Sequence, residues 1–408
     1  MNMQMTRPTA PEVRERLDSL DGMRGAAALA VVVYHFFARW AEPLNEVTLY
    51  PHGNILFYLP GLAYLADFGI LLFFIISGFV IMMTLEHSSG FPDFVGRRVA
   101  RLWPAMLVCA TFSTLIINGS GIAFHYPGLA RWEVTLLEYI SSIFFLPPEH
   151  VSALLGRSPA QWVEGVYWTL WVEVRFYALI ALTFLLSSRS WFVWIWAALQ
   201  ALSTVLDAAH TIDPGLGQRL GVLNLILQPK YLAWFSLGLC GYLLWSGRCT
   251  TLVLGIILLA VIAIGMGELL TLRNGAPSLT PAALNLTVVY GLVCTLFVLF
   301  VIRSRIVAML NWRPLVVIGL ASYPLYLFHE LPGMAALKYA SELGLPPWLG
   351  VSLAISAVIA TALLVHKLVE SPAKRAIIGF WRPRAWALER RFAWLRFSSD
   401  SAASSVPG

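Results

Sequence analysis

The sequence predicts an all-α protein that crosses a membrane several times, and three observations lead to this fold class. The 408-residue chain is 58% hydrophobic and only 12% charged, whereas about 25% of the residues in an ordinary soluble domain are charged. Its mean hydropathy is +0.72, and apolar runs long enough to cross a bilayer recur along it. The 16 Trp and 23 Phe residues suit interfacial belts and lipid-facing surfaces.

Apolar windows of about 17 to 23 residues predict about ten transmembrane helices. These windows lie at 22–40, 64–86, 103–119, 167–186, 191–209, 229–246, 251–271, 283–302, 314–334 and 347–369. The run 132–147 carries Glu133 and Glu138 and ends at Pro147-Pro148. It therefore predicts an amphipathic segment that is interfacial or re-entrant and does not span.

The distribution of basic residues predicts that both termini are cytoplasmic. With a cytoplasmic N-terminus, the inner loops and tails hold 20 Lys and Arg, the outer loops hold seven, and Arg175 lies inside a span. The positive-inside rule favours this orientation. We expect a cytoplasmic leader at 1–19, a transmembrane domain at 20–372 and a basic, partly disordered cytoplasmic tail at 373–408.

Composition also argues against two classes of binding site. The net charge is +6, but the basic residues lie between apolar runs and in the tail, as topology signals do, so we expect no nucleic-acid partner. The four cysteines form no CxxC pair and the eight histidines show no HxxxH spacing. We therefore expect neither a disulfide framework nor a bound metal.

The first predicted helix carries Arg24 and His35, eleven residues apart. At about 100° and 1.5 Å per residue, the two side chains share one face and lie about 16 Å apart along the axis. Ionisable residues inside a span are costly and usually face a bundle interior or a wet cavity, so a functional site is the first hypothesis. The alternative is an interfacial anchor at Arg24 and a packing hydrogen bond at His35.

Arg97, Arg98 and Arg101 precede the third predicted helix on the cytoplasmic side. Arg98 and Arg101 are three residues apart and share a helix face. Guanidinium groups match phosphate in charge and geometry, so this cluster suits a phosphorylated ligand. The alternative is a positive-inside anchor that only orients the protein.

Glu173 lies inside the span at 167–186, near the depth expected for His35. Pairing with Arg175 is an alternative, but residues two apart point to different faces of a helix. A carboxylate that accepts a hydrogen bond from one imidazole nitrogen would fix the tautomer and leave the other nitrogen as a base. We therefore expect Glu173 to orient His35.

Further polar residues lie in the other spans. Ser77 permits close helix packing and an interhelical hydrogen bond. Pro324 would kink the span that also holds Tyr323 and His329. Glu370 lies at the cytoplasmic end of the last span, where it would counter Arg98 or Arg101 or remain solvated.

Six stretches follow one another along the chain: Asp21 to Gly25 with His35, Phe73 to Phe79, Arg97 to Pro104, Trp168 to Glu173 with Phe176-Tyr177, Gly319 to His329, and Glu370-Ser371-Pro372. Taken in this order, they resemble the acyltransferase-3 family of integral membrane acyltransferases. Thr169 stands where the family usually has serine, and Ser371 where a basic residue is common between Glu and Pro.

The resemblance implies transfer of an acyl group, commonly acetyl from acetyl-CoA, to a hydroxyl of a surface polysaccharide, its lipid-linked precursor or another sugar-bearing acceptor. It implies a multi-pass protein of the bacterial inner membrane whose partners are acyl-CoA, a glycan or glycolipid acceptor and membrane lipid. A transporter or flippase for an acyl or glycan carrier is the alternative class, because buried His, Glu and Arg also suit a proton relay.

Within this function we expect His35 to act as general base on the acceptor hydroxyl, with Glu173 orienting it, or else to carry the acyl group itself. The expected donor-binding residues are Arg24, Arg97, Arg98 and Arg101. Ser77, Tyr323, His329 and Glu370 are expected to bind the acceptor or support the site.

Overall fold

The computed structural model describes residues 10–39, 64–119, 124–126, 129–131, 133–212, 219–273 and 281–397. Within these ranges the regular structure is helical apart from one short antiparallel pair, β1 (Phe124–Tyr126) and β2 (Leu129–Arg131), and one isolated bridge between Gly90 and Arg396. This confirms the all-α, multi-pass fold class. The helices are α1 (Ala10–Tyr34), α2 (Leu65–Glu86), α3 (Phe91–Gly119), α4 (Leu136–Ile143), α5 (Pro148–Leu154), α6 (Trp168–Leu186), α7 (Arg189–Ile212), α8 (Gly221–Leu227), α9 (Pro229–Trp245), α10 (Thr251–Arg273), α11 (Pro281–Val301), α12 (Arg313–Leu320), α13 (Ser322–Phe328), α14 (Leu331–Glu342), α15 (Pro347–Val365) and α16 (Ser371–Arg391).

Six helices among the described residues are long and apolar enough to span a bilayer. The number is seven if α11 and the short helix Arg305–Asn311, bent by 98°, count as one broken span. Each of the ten predicted windows falls on helical structure, but α9 has only 17 residues and the window 314–334 is divided between α12, α13 and α14. The count of ten and the orientation of the termini therefore stay predictions.

The predicted domain boundaries also stay predictions. α1 begins at Ala10 and runs through the expected boundary at 19 and 20, and α16 runs through the boundary at 372 and 373. Residues 398–408, the end of the tail predicted to be partly disordered, lie outside the described residues.

The segment predicted to be interfacial or re-entrant runs back along α3. Asn118 donates a hydrogen bond to the Val134 carbonyl over 3.1 Å at one end of this contact, and the rings of Trp103 and Phe144 lie 6.3 Å apart at the other. The eight-residue α4 lies between these two contacts, antiparallel to α3. It is too short to span a bilayer, so the segment does not span, as predicted, and its interfacial or re-entrant character stays a prediction.

Glycines bring α1 against α12. A methyl group added to Gly22 would collide with the Leu310 carbonyl, one on Gly25 with the backbone of α12, and one on Gly319 with the Asp21 carbonyl. Small residues allow membrane helices this close an approach. Gly22 and Gly25 of the first motif therefore serve helix packing.

A second close crossing joins α2 to α9, where a methyl group on Gly78 or on Gly238 would collide with the backbone of the facing helix. Beside it, Phe235 of α9 stacks on Phe176 of α6, with ring centroids 4.0 Å apart, and packs on Phe74 of α2 at 4.8 Å. These contacts hold α2 and α6 face to face.

A buried ion pair fastens the end of the chain's last predicted span to α3. Arg101 of α3 pairs with Glu370, whose side chain is only 2% exposed. Glu370 ends a π-helical turn between α15 and α16, and His366 of the same turn lies 2.9 Å from its second carboxylate oxygen. Of the alternatives left open for Glu370, the structure selects pairing with Arg101.

Gly319→Ala tests the helix crossing. The added methyl group would push α12 away from Asp21, and overpacking of this kind costs about 1–3 kcal/mol. We expect a Tm several degrees lower, measured by intrinsic tryptophan fluorescence in detergent. Gly255→Ala in α10 is the control, because no neighbouring atom lies within 4 Å of the added methyl group. Equal Tm values for the two variants would contradict the crossing.

Glu370→Gln tests the buried ion pair. Removing one partner leaves the Arg101 charge uncompensated, which costs about 3–5 kcal/mol for a buried pair. We expect a large loss of Tm. Glu342→Gln is the matched control, since its partner Lys338 lies 4.0 Å away and Glu342 is 56% exposed, so about 1 kcal/mol or less is lost. A Tm for Glu370→Gln as high as that of Glu342→Gln would show that the pair does not stabilise the fold.

Candidate active site

A cavity lies between α1, α2, α3, α6 and α13. We call one end the arginine end, because Arg24, Arg98 and Arg101 line it. Phe73, Thr169 and Tyr326 line the opposite end, and Ser77, Glu173, Tyr177, Ser322 and Tyr323 lie among the residues between. The structure therefore brings together six of the ten predicted site residues, on five helices that are far apart in sequence.

Arg24 joins α1 to α13 at the arginine end. Its guanidinium group forms an ion pair with Asp21 over 3.2 Å and donates to the Ser322 hydroxyl over 3.0 Å. Tyr323, next in the chain, donates to the Leu102 carbonyl over 3.0 Å. Arg24 is thus fixed against the start of α13, and His329 follows the end of the same helix about two turns further on.

The arginines of α3 differ in how their charges are balanced. Arg101 pairs with Glu370, and Arg97 donates to Asp93 over 3.0 Å and is not among the cavity-lining residues. Arg98 donates to the Thr84 hydroxyl over 3.1 Å, and its buried Nε has no hydrogen-bond partner. The expected shared face of Arg98 and Arg101 is observed, and Arg97 points away because it lies about 100° further round the helix.

Glu173 forms a compact polar group with two neighbours. Its carboxylate accepts a hydrogen bond from Ser77 over 2.6 Å and another from Tyr177, and the two hydroxyl oxygens are 3.1 Å apart. Charge-assisted hydrogen bonds of this kind are among the stronger ones in proteins. Ser77 thus makes the interhelical hydrogen bond that its position in α2 predicted.

The expected contact between Glu173 and His35 is not formed, because the two lie at different depths. Gly69 of α2 packs against Ala27 and Val31 of α1. Ser77, the partner of Glu173 on α2, lies eight residues after Gly69, which is about 12 Å along the helix. Because α2 runs antiparallel to α1, Ser77 and Glu173 lie about level with Arg24. The sequence placed Glu173 and His35 at one depth because it could not show the register of α1 and α2.

His35 instead lies beside His329. Both imidazoles are buried, with exposures of 7% and 0%, and the Nδ1 of His35 is 3.2 Å from the Nε2 of His329. His35 is the first residue of a π-helical turn at the end of α1, and such turns are frequent at functional sites. The sequence had placed both histidines in the outer half of the bundle but had not paired them.

The neighbours of the two imidazoles assign their tautomers. Nδ1 of His329 lies 3.2 Å and 3.0 Å from the carbonyl oxygens of Leu325 and Tyr326. Carbonyl oxygens only accept, so this Nδ1 carries the proton and Nε2 of His329 is an acceptor. Nδ1 of His35 faces that acceptor and the Val31 carbonyl, 2.9 Å away. It therefore carries the proton, and the lone pair of neutral His35 is on Nε2.

An aromatic layer separates the cavity from His35 and His329. Neither histidine is among the described residues that line the cavity. The Tyr326 ring centroid is 5.9 Å from the His329 ring and 5.9 Å from the Phe73 ring. The Tyr326 hydroxyl lies 2.9 Å from the Thr169 hydroxyl and donates to the Val166 carbonyl over 3.3 Å. Phe73 and Tyr326 thus close this end of the cavity.

A second, apolar groove adjoins the cavity between α3, α6 and the end of α4. Arg98 and Tyr177 line both spaces. Val99, Trp103 and Phe144 line the groove and are 38–54% exposed. The groove thus opens at the side of the bundle.

Sequence reasoning missed Tyr177, Ser322 and Tyr326 as site residues. Thr169, Glu173 and Tyr177 follow at intervals of four, which places them on one face of α6, and all three line the cavity. Polar residues at helical spacing within an apolar span were the signal that could have found them.

Comparisons with known proteins identify the family of the chain. Residues 17–367 match a family model described as an acyltransferase domain. Nodulation protein 10 of Rhizobium leguminosarum bv. viciae is 29% identical over 169 residues, 39% of this chain and 42% of that protein. An O-acetyl transferase of Shigella phage Sf6 is 26% identical over 163 residues, 38% of this chain and 43% of that protein.

Each of these alignments therefore spans less than half of the relative's length. No solved structure matches the chain. The family model covers most of the sequence and every residue of the cavity described above. The chain belongs to the acyltransferase-3 family of membrane acyltransferases.

Proposed function

We propose that the protein transfers an acyl group, most simply acetyl, from acyl-CoA to a hydroxyl of a surface polysaccharide, its lipid-linked precursor or another sugar-bearing acceptor. The membrane would be the bacterial inner membrane, with the arginine end on the cytoplasmic side. The observation that carries the proposal is a cavity that is cationic at one end and reaches, at the other, the aromatic layer beside His35 and His329. The name of the phage relative, an O-acetyl transferase, supports acetyl transfer to oxygen.

The arginine end suits the phosphate-bearing donor. The unpartnered, buried Nε of Arg98 can donate to a phosphate or amide oxygen of a ligand in the cavity. Arg24 and Arg101 are each paired with a carboxylate, but they also line the cavity and carry several N–H donors that can reach the same ligand. The pantetheine arm would then pass Ser77 and Tyr177 and bring its thioester to Phe73 and Tyr326.

In the direct route, Nε2 of His35 removes the proton of the acceptor hydroxyl as its oxygen attacks the thioester carbonyl carbon. The carbon–oxygen bond forms, the carbon–sulfur bond breaks, and the thiolate leaves with the proton from the imidazolium as free CoA thiol. Positioned general bases contribute about 10²- to 10⁴-fold. For this route the aromatic layer of Phe73 and Tyr326 has to open.

His329 serves as the positioning residue for this base. Its Nε2 and the Val31 carbonyl hold the proton of His35 on Nδ1, the role the sequence had given to Glu173. Glu173 would instead keep the middle of the cavity polar through Ser77 and Tyr177. In the alternative covalent route, Nε2 of His35 attacks the thioester carbonyl carbon, the carbon–sulfur bond breaks and CoA leaves as the thiolate. The acceptor hydroxyl oxygen then takes the acyl group from the imidazole, and its proton passes to the thiolate.

The function is tested with purified protein, acetyl-CoA and glycan extracted from cells that lack the gene. The proposal expects free CoA thiol in step with a gain of acetyl mass on the glycan, both observed by mass spectrometry. An acid-quenched acetyl adduct on the peptide of His35 would select the covalent route. Movement of glycan across proteoliposomes without thiol release would establish a transporter in place of the enzyme.

His35→Ala and His329→Ala test the paired imidazoles. We expect His35→Ala to lower kcat by about 10²- to 10⁴-fold. His329→Ala should lower kcat by about tenfold or more with the KM for acetyl-CoA unchanged, because it removes one of the two acceptors that hold the His35 ring and its tautomer. His87→Ala is the control, since this exposed side chain lies at the end of α2. Near-full transfer by His35→Ala would remove its assignment as base.

Arg98→Gln tests donor binding at the arginine end. Loss of a charge-assisted hydrogen bond to phosphate should raise the KM for acetyl-CoA about tenfold or more. The KM for the acceptor should change little, and Arg98→Lys should lie between. Arg313→Gln, at the exposed start of α12, is the charge-matched control. A larger rise in the acceptor KM than in the donor KM would show that Arg98 does not bind the donor.

A further inference from the structure

The charges at the arginine end are largely balanced within the protein. Arg24, Arg97 and Arg101 pair with Asp21, Asp93 and Glu370. Arg98 is the cavity arginine without an acidic partner among the described residues. A CoA molecule carries a pyrophosphate and a 3′-phosphate, so one uncompensated guanidinium group leaves most of this negative charge without a counter-charge. A second cationic site is therefore needed near the arginine end.

A basic groove on α16 begins one residue after Glu370. Ser371 lies at its start, followed by Lys374, Arg375, Arg382 and Trp386. None of these three cations forms an ion pair with an acidic residue in the part of the chain that the structure describes. The groove thus offers three uncompensated positive charges, whereas the cavity offers one.

The groove is held in a fixed position relative to α3. Trp381 of α16 donates to the Pro92 carbonyl over 2.8 Å, and its ring lies against Gly96. Trp386 donates to the Ser89 hydroxyl over 3.2 Å, and the Arg382 guanidinium lies 4.8 Å from the Trp386 ring centroid. A fixed aromatic ring beside fork-shaped cations suits a ligand with both a flat base and phosphate groups.

We propose that this groove binds the 3′-phosphorylated adenosine diphosphate part of the acyl-CoA donor. Lys374, Arg375 and Arg382 contact the phosphates, and Trp386 packs against the adenine. The pantetheine arm leaves the groove at Ser371, passes the Arg101–Glu370 pair and enters the cavity. The proposal rests on the proposed function and adds the place where the nucleotide end of its donor is recognised.

Anionic phospholipid headgroups carry the same phosphate chemistry and are the competing source of a ligand. The order of residues favours the nucleotide. The groove begins at Ser371, directly after Glu370, whose ion-pair partner Arg101 lines the cavity, so one elongated ligand can occupy both the groove and the cavity. The adenine base also gives Trp386 a partner that a glycerophospholipid does not provide.

Arg375→Gln/Arg382→Gln tests the groove, and Arg384→Gln/Arg391→Gln is its control. The control positions lie two and nine residues after Arg382, about half a turn round α16, so equal charge is removed from the other side. We expect calorimetric titration in neutral detergent to show an affinity for CoA about tenfold or more weaker in the groove variant. The ratio of affinities for CoA and dephospho-CoA, which lacks the 3′-phosphate, should fall towards one. The control should change neither.

Arg375→Lys/Arg382→Lys keeps the charge and loses the fork geometry, so it should give an intermediate affinity for CoA. This variant provides the test if the Arg375→Gln/Arg382→Gln protein does not fold. Unchanged CoA affinity, with reduced co-sedimentation of the variant protein with phosphatidylglycerol vesicles, would assign the groove to lipid and overturn the proposal. Normal acetyl transfer by the groove variant with unchanged CoA affinity would overturn the assignment of the groove to CoA and leave the proposed function intact. CoA binding that depends on the groove, without transfer to any glycan, would support the assignment of the groove and overturn the proposed function.

Discussion

The close contact of α1 with α12 and α13 is the constraint on which the site depends. Glycines at the crossing let the two backbones touch, and this places Arg24 on Ser322 at one end and His35 on His329 at the other. Arg24 and His35 are eleven residues apart, whereas their partners Ser322 and His329 on the facing segment are seven residues apart. The difference is about 6 Å along the helix axis, which the long Arg24 side chain can bridge. A larger residue at the crossing would disturb both ends of the site at once.

The bilayer explains why the site is built from paired groups. Each polar atom withdrawn from water has to find a partner inside the bundle. Glu370 therefore balances Arg101, and Ser77 and Tyr177 satisfy Glu173. The same requirement leaves little free charge in the cavity, which is why we assign the donor's nucleotide to the groove of α16 and its acyl arm to the cavity.

Local sequence patterns predicted the parts of the structure that depend on local rules. Hydropathy predicted the fold class and the positions of helices, and helical spacing predicted that Arg98 and Arg101 share a face. The contact of His35 with His329 and the separation of His35 from Glu173 could not be predicted, because both depend on the register between helices. That register is set by contacts such as Gly69 against the Ala27 carbonyl and the Val31 side chain, which only the folded chain shows.

The most direct test of the account is to map where the acyl group of the donor lies. A CoA thioester with a short diazirine-bearing acyl chain would be bound, illuminated, and its adducts located by mass spectrometry of the digested protein. We expect adducts on the peptides that carry Phe73, Thr169 or Tyr326, competed by acetyl-CoA. Adducts confined to the side groove at Trp103 and Phe144 would contradict a donor path that leads to the paired histidines.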